Sequence, residues 1–486
     1  LQIESSQGKK EGMALRVYRL IGEYYLWVLC IVLGLMVYMT GADSYVRARN
    51  IYFVAAFIFL VLFIKEFRLK KLASIKVPLI LFFIVLIFAY LSLFNAARID
   101  WTLKYINFNL WLSLFFLIFT YLMTLLFSKK QTNFLVFLIG LALVVIEIIT
   151  IYLWIEHGGW PYRTAIGKTG VIIFGTWIVL GFAFSYAGIY VFKGPWKILA
   201  LVLFVLAFVG IVSNNTRSFF LALPFMLILP LFIVRYKYKP TIITICIVIL
   251  VVFFISFYNY SGRLNPRFDA KAMVQNFHTV WSVKPGEMGR FDIHCANSNL
   301  CSPFSYPLDS KVHWEESSLI RLSLLKSILL AIKENPFRPN GYYPREFVYN
   351  LEQNFWKADD IRYPYAYIPA SDTDIKDGKP HTYIHPHNSV VSAVFELGII
   401  GALALYIFTI FMFYVGVYIY RKNTGVYKFW GLLMCIFLLG ETIAFFFDWL
   451  ILFAGQMVLF MFYGISLAIY AKTLVDKKLK RGCFKA

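Results

Sequence analysis

Long, unbroken apolar runs separated by short polar connections set the pattern of this chain. The first runs from Leu20 to Thr40. Others follow at about 51–64, 77–94, 105–127, 133–154, 170–192, 197–213, 218–234 and 240–258, with three more at about 389–420, 429–447 and 449–470. A helix needs roughly 20 mostly apolar residues to cross a bilayer, so each run predicts one span. The last two are separated only by Asp448. Because the runs are continuous rather than alternating, an outer-membrane barrel is excluded. The pattern predicts an all-α polytopic membrane protein with about twelve transmembrane helices and one stretch of polar chain long enough to form a separate domain.

Composition supports this reading. Of 486 residues, 60% are hydrophobic and only 15% charged, whereas soluble chains carry about 25% charged residues, so a water-soluble globular protein is excluded. The formal charge of +21 would suggest a nucleic-acid partner in a soluble protein. Here the cations sit in clusters between apolar runs: KEFRLKK at 65–71, SKK at 128–130, KGPWK at 193–197, RYKYK at 235–239, RKNTGVYK at 421–428 and KKLKR at 477–481. Every second connection is basic and the intervening ones lack such clusters, which is the positive-inside signature. Both termini are therefore expected in the cytoplasm, with no nucleic-acid partner. All seven histidines, His157, His278, His294, His313, His381, His385 and His387, fall in segments assigned outside.

The expected organisation is a polar tail or non-native remnant at 1–12, transmembrane helices one to nine over 13–258, an outer domain at 259–388, helices ten to twelve over 389–472, and a basic cytoplasmic tail at 473–486. The first run is too long for the apolar region of a cleavable signal and reads as a retained anchor. Within the outer domain, Ser317 followed by LIRLSLLKSILLAIKENP predicts an N-capped amphipathic helix from Leu319 to Lys333 that stops at Pro336, on or near the membrane surface. Cys295 and Cys301 lie six positions apart in the same domain, where an oxidising compartment would allow a disulfide closing a small loop. Cys30, Cys246, Cys435 and Cys483 read as packing residues.

Three sites carry candidate chemistry. The segment IHPHNSVVSAVFELGIIG, 384–401, puts His387 and Asn388 at the outer mouth of the tenth span, with Gly398 and Gly401 further along for close helix packing. Asn214, Asn215, Thr216 and Arg217 form a polar break between spans seven and eight. Arg217 lies on the outer side, where the positive-inside rule gives it no reason to be. Arg321 sits in the otherwise apolar stretch SSLIRLSLLK of the predicted surface helix. Taken singly, these residues read as a helix start with a surface histidine, a snorkelling anchor and an interfacial arginine.

Taken together, they resemble the O-antigen ligase and polymerase superfamily. The His-Asn-x9-Gly-x-x-Gly signature matches His387 to Gly401, an Arg-x3-Leu pattern matches Arg217 and Leu221, and Arg321 resembles the arginine that opens the family's periplasmic helix. The resemblance covers most of the chain, including the twelve-span layout and one large periplasmic domain between spans nine and ten. It implies a C-type, inverting glycosyltransferase of the bacterial inner membrane with a periplasmic active site. The donor it implies is undecaprenyl diphosphate-linked O-antigen, and the acceptor is lipid A-core oligosaccharide. In that reaction His387 would act as base for a sugar hydroxyl, and Arg217 and Arg321 would hold the leaving diphosphate without a metal ion or other cofactor. Asn388, His385, Lys168 and Arg163 are candidates for contact with glycan or phosphate.

Other readings compete with this one. An O-antigen polymerase or a protein O-oligosaccharyltransferase would use the same lipid-linked donor, although polymerases tend to show two large periplasmic loops and Arg-x10-Gly elements that are not found here. A transporter or flippase would have repeats and mid-membrane charges, whereas the polar groups here are read as gathering at one face. Asp372-Thr373-Asp374 and His381, His385 and His387 could be metal ligands, but a short acidic match in a polar loop is weak. GKT at 167–169 is no P-loop, because the position five before Gly167 is Tyr162 rather than glycine.

Overall fold

The computed structural model describes residues 13–66, 69–160, 162–167, 171–235, 238–264, 269–282, 316–343, 346, 367–368, 381–382, 387–446 and 453–482. With no water in a bilayer core, every backbone polar group must be satisfied within its own segment, and the apolar runs accordingly form helices. These are α1 (Met13–Gly41), α2 (Tyr45–Phe63), α3 (Lys76–Leu91), α4 (Ile99–Tyr105), α5 (Leu112–Leu126), α6 (Lys129–Glu156), α7 (Val171–Val191), α8 (Pro195–Asn214), α9 (Arg217–Ile233) and α10 (Lys239–Leu264). After the outer segment come α13 (Ser389–Lys422), α14 (Gly425–Phe446) and α15 (Phe453–Gly482). Among the described residues, eleven helices are long and apolar enough to cross a membrane, and Arg217–Ile233 is a shorter apolar helix, a layout of the kind the hydropathy predicts.

Local chemistry sets several boundaries. Ser128 and Gln131 form a reciprocal capping box at the start of α6, with the Ser128 N–H donating to Gln131 Oε1 at 2.7 Å and the Gln131 N–H to Ser128 Oγ at 3.3 Å. Between α4 and α5, residues Ile106–Trp111 form a π-helical turn, so the fourth span is continuous from Ile99 to Leu126. Inside the bundle α15 packs on α5, α7 on α8, α13 on α14 and α3, α1 on α6, and α14 on both α7 and α9. Two buried indoles anchor this core: Trp177 donates to the Val37 carbonyl at 3.1 Å and Trp430 to Ser466 Oγ at 2.8 Å. No residue in the apolar window of α10 is buried, placing that helix at the edge of the bundle.

One expectation is corrected here. Polar groups do not gather only at one face, because Glu147 on α6 and Glu441 on α14 are both buried within spans. Thr176 on α7 donates to Glu441 at 3.4 Å, while the two carboxyl oxygens of Glu147 have no hydrogen-bond partner among the described residues.

Outside the spans, α11 (Ala270–Ser282) and α12 (Glu316–Glu334) pack on one another, and α12 packs on α13. The predicted helix is thus present, but it includes Glu316, so Ser317 lies within it and is not its cap, and α11 is an additional helix that the hydropathy pattern does not reveal. Asp269 starts α11 by accepting the N–H groups of Lys271 and Ala272 at 2.9 and 3.1 Å. Buried Lys326 on α12 donates to the Trp281 carbonyl at 3.2 Å, and burial pulls its ammonium below the ordinary lysine range. A two-residue antiparallel pair, β1 (Tyr367–Ile368) and β2 (His381–Thr382), is the sheet present among the described residues.

Candidate functional site

Helix alternation puts the end of α3, the α6–α7 connection, the α8–α9 junction and the start of α13 on one face of the bundle, the face that carries α11 and α12. Two hydrogen-bonded assemblies stand there.

The first is built on the α8–α9 junction. Asn215 ends α8 in the left-handed conformation, with φ 51° and ψ 38°, which turns the chain sharply into α9. Thr216 is the N-cap residue of α9 and Arg217 its first helical residue. An N-cap threonine ordinarily turns its hydroxyl onto the N–H groups of the first turn. Thr216 makes no such bond, and its hydroxyl instead accepts from Arg163 Nη2 at 3.0 Å. The connection bearing Arg163 is pinned to the same junction. The Thr164 N–H donates to the Ser213 carbonyl at 3.1 Å, and Asn214 Nδ2 donates to the Thr164 and Val171 carbonyls at 3.2 and 2.9 Å. Below the turn, Phe219 fills the space where a side chain on Gly175 would stand, so α7 and the first turn of α9 are in close contact.

The second assembly is built on α13. His387 has φ 51°, an unusual value for a residue with a side chain, and is half-buried. Asn388 is the N-cap, its Oδ1 accepting the Val391 N–H at 2.9 Å. The helix is then interrupted at Gly398, where φ 66° and ψ 166° are accessible essentially to glycine alone. Here the sequence expectation of simple close packing is refined. Gly401 does pack against Phe88 of α3, but Gly398 acts as a hinge that divides α13 into an arm, 389–397, and the span proper.

The helix's own hydrogen bond across the hinge is exchanged for bonds to the loop that follows α12. The Ile399 N–H donates to the Pro336 carbonyl at 2.9 Å, while the Phe395 carbonyl accepts from both the backbone N–H and Nδ2 of Asn340, each at 3.1 Å. That loop is fastened on its other side to the α3–α4 turn. Ser92 Oγ accepts the Tyr342 N–H at 3.0 Å, and Asn95 Nδ2 donates to the Pro339 carbonyl at 3.0 Å. Fully buried Glu346 accepts the N–H groups of Ala97 and, at 3.3 Å, Arg98. Burial raises its carboxyl above the ordinary range, and the two N–H donors oppose that shift. Trp101 stacks on Tyr343 with ring centroids 5.6 Å apart.

Of the residues singled out in the sequence, the structure therefore brings Arg163 to the Arg217 junction and sets Asn388 as the cap beside His387. Arg321 is half-buried on α12, whose following loop, 335–343, clasps the arm and is called the clasp loop. His385, Lys168, Cys295, Cys301 and the Asp372 and Asp374 pair lie outside the described residues, as do the side chains of Ser317 and His381. Cys30 and Cys435 are buried packing residues. Asn340 and Glu346 were not singled out in the sequence. The NPxxPNG stretch reads there as a helix stop, and its partners lie far away along the chain.

The fold defines a multi-pass, all-α membrane protein whose polar turns and arm cluster on one face. Residues 202–406 match the family model for O-antigen ligase, a stretch that runs from α8 into α13 and contains Arg217, Arg321, His387 and the Gly398 hinge. This stretch is similar to the O-antigen ligase family, which supports a place in the O-antigen ligase/polymerase superfamily and O-antigen ligase- or polymerase-type activity in general. No curated protein matches the chain.

Proposed function

We propose that this protein is an inverting glycosyltransferase that moves O-antigen from undecaprenyl diphosphate to the outer core of lipid A-core, at the periplasmic face of a bacterial inner membrane. The observation that carries the reading is the family match over 202–406, which encloses all three of the residues to which chemistry is assigned. His387 takes the proton from the acceptor hydroxyl as that oxygen attacks the anomeric carbon. An imidazole nitrogen can accept such a proton directly from a hydroxyl within hydrogen-bond reach. The bond from the anomeric carbon to the diphosphate oxygen breaks on the opposite side, inverting the configuration. Arg217 and Arg321 hold the departing diphosphate, since guanidinium stays charged and can bind phosphate oxygens in a fork. Diphosphate leaves without a general acid, so the reaction is proposed to proceed without a metal ion.

Both substrates are lipid-anchored in one leaflet, and the enzyme's task reduces to orientation, charge neutralisation and one proton transfer. The test is a reconstituted assay with purified lipid-linked glycan and lipid A-core, with and without a chelator. Ligation by the native protein and its loss in His387→Ala, about 10²- to 10⁴-fold for a general base, are expected. Extension of the lipid-linked chain without ligation would identify a polymerase instead. Full activity of His387→Ala would remove the histidine from the chemistry, and loss in chelator restored only by a divalent ion would reinstate a metal.

A further inference from the structure

Helix α11, outside the spans, buries one side and leaves an apolar one bare. Ala272 is buried, whereas Val274, Phe277 and Trp281 are 48%, 44% and 42% exposed. At about 100° of turn per residue the three fall in a sector about 60° wide, opposite Ala272. The Phe277 and Trp281 rings stack with centroids 5.0 Å apart, so they present one continuous surface. Exposed Lys271 and His278 flank it. The start of α11 is fastened to the outer end of α10. The Ala270 N–H donates to Ser261 Oγ at 3.1 Å, a Cβ added at Gly262 would stand 2.8 Å from Asp269 Oδ2, and Lys271 Nζ lies 5.7 Å from the centre of the Tyr258 ring. Arg263 lies over the Tyr260 ring at 5.3 Å. Exposed tyrosines carrying cations near the end of a span mark the boundary between lipid and water. The stripe on α11 therefore begins at headgroup depth.

We propose that α11 is an interfacial helix whose Val274, Phe277 and Trp281 insert into the outer-leaflet lipid around α10, with Lys271 and Arg263 at the level of the lipid phosphates. Continuity argues for lipid as the occupant. No residue in the apolar window of α10 is buried, so lipid bounds that helix up to the turn where α11 starts, and the stripe extends the same surface. An apolar face with Trp and Phe beside cations is the composition of helices that lie in the interface. Area argues against a protein partner, because three part-exposed side chains fall far short of the roughly 800 Å² per side that a stable protein interface buries. The contact has a consequence for the neighbouring helix. Lys326 of α12 is bonded to the Trp281 carbonyl at 3.2 Å, so the depth of the stripe sets the height of α12 and of Arg321 upon it. The proposal holds whichever transfer reaction the protein performs.

Trp281 reports on its own surroundings. Full-length protein is placed in nanodiscs of phosphatidylcholine and phosphatidylglycerol in equal parts, with plain acyl chains or chains brominated near the glycerol end. The fluorescence of Trp281 is taken as the difference between the native protein and Trp281→Phe, which keeps an aromatic ring in the stack, and thermal melting verifies that the variant is folded. Brominated chains are expected to quench most of that difference, and aqueous iodide much less. Quenching by iodide alone would place the ring in water, and quenching by neither would place it against another part of the chain or a second copy; either result overturns the proposal. A second measurement does not depend on Trp281. Benzoylphenylalanine placed at Val274 should cross-link to lipid on illumination, whereas at Gln275, exposed but outside the stripe, it should capture far less. Equal lipid capture at the two positions would overturn the stripe as the inserted face.

Discussion

Tyr406 donates its hydroxyl to the carbonyl of Val390, sixteen residues earlier on what is formally one helix. Sixteen residues of straight α-helix span about 24 Å, far beyond the reach of a tyrosine side chain. The bond exists because α13 folds back at Gly398, bringing the first turn of the arm against the side of the span. Val390 lies in that turn, just after His387 and Asn388. Tyr406→Phe removes this tether, and loss of one such neutral hydrogen bond costs about 1 kcal/mol. If the arm positions the base, kcat should fall about tenfold with the KM for the lipid-linked donor unchanged, since small misplacements of a reacting group are costly. Loss of folded protein also lowers the apparent kcat at constant KM, so rates are taken per folded enzyme by thermal melting, and a fall that vanishes on that correction would remove the positioning role.

Gly398→Ala should be more severe. The backbone there is held at φ 66° and ψ 166°, and an added Cβ would stand 2.6 Å from the Phe337 carbonyl oxygen. The strain of such a conformation alone is about 1–3 kcal/mol. The expected outcome is release of the clasp loop, read as faster protease cleavage within 335–341 and a lower melting temperature. Gly401→Ala meets Phe88 rather than backbone and should leave that cleavage rate unchanged.

These two positions show what was legible in the sequence. The spans were, because each must bury its backbone bonds within one apolar run, and α12 was, because its apolar stretch and proline stop are local signals, although Ser317, expected as its cap, lies inside the helix. Gly398 was legible as a special position but not as a hinge. Its role depends on Asn340 and Pro336, which come from the far side of the outer segment. Arg217 stood out by violating the charge rule, yet its junction is fastened to the α6–α7 connection by Arg163 bonding to Thr216, a pairing that no local pattern encodes. Glu346 read as one acid among many in a polar stretch, and only burial against the α3–α4 turn distinguishes it.

Glu346 makes the clasp sensitive to pH. Its carboxyl is raised above the ordinary glutamate value of 4.5 chiefly by burial. A folded-state value above the unfolded one means that the folded state holds the proton longer, so stability falls as pH rises through the window between the two values. Docking of 336–346 should therefore be firmest at or below the ordinary carboxylate range and loosen above it. Glu346→Gln keeps an acceptor for the Ala97 or Arg98 N–H but no titratable group. Melting curves taken across the acidic range should lose this contribution in the variant, and an unchanged pH profile would assign the dependence to other groups.

Charge at the diphosphate can be separated from geometry by Arg217→Lys. The substitution keeps the cation at the start of α9 and loses the planar fork, which is the feature matched to phosphate oxygens. If about 1.4 kcal/mol of transition-state stabilisation goes with it, transfer falls tenfold. Turnover equal to that of the native protein would make Arg217 an interfacial anchor.

Glu147 decides between a packing carboxyl and one that couples ions across the membrane. It is fully buried on α6, and a Cβ added at Gly181 or Gly210 would stand 2.6 or 2.0 Å from its carboxyl oxygens, so the glycines of α7 and α8 form the slot that holds it. Neither oxygen has a hydrogen-bond partner among the described residues. A bare charge in such a place would be uncompensated, which low-dielectric surroundings penalise heavily. An uncharged amide of the same shape should therefore replace it at little cost. Glu147→Gln is expected to melt within about 1 kcal/mol of the native protein, as volume-conserving changes do, and to transfer glycan at an undiminished rate. Glu147→Ala, which empties the slot, should cost about 2 kcal/mol or more. The measurement is glycan transfer in proteoliposomes with and without an imposed pH gradient. A gradient-dependent rate that Glu147→Gln abolishes would overturn the packing role and return the transporter-like reading of this carboxyl.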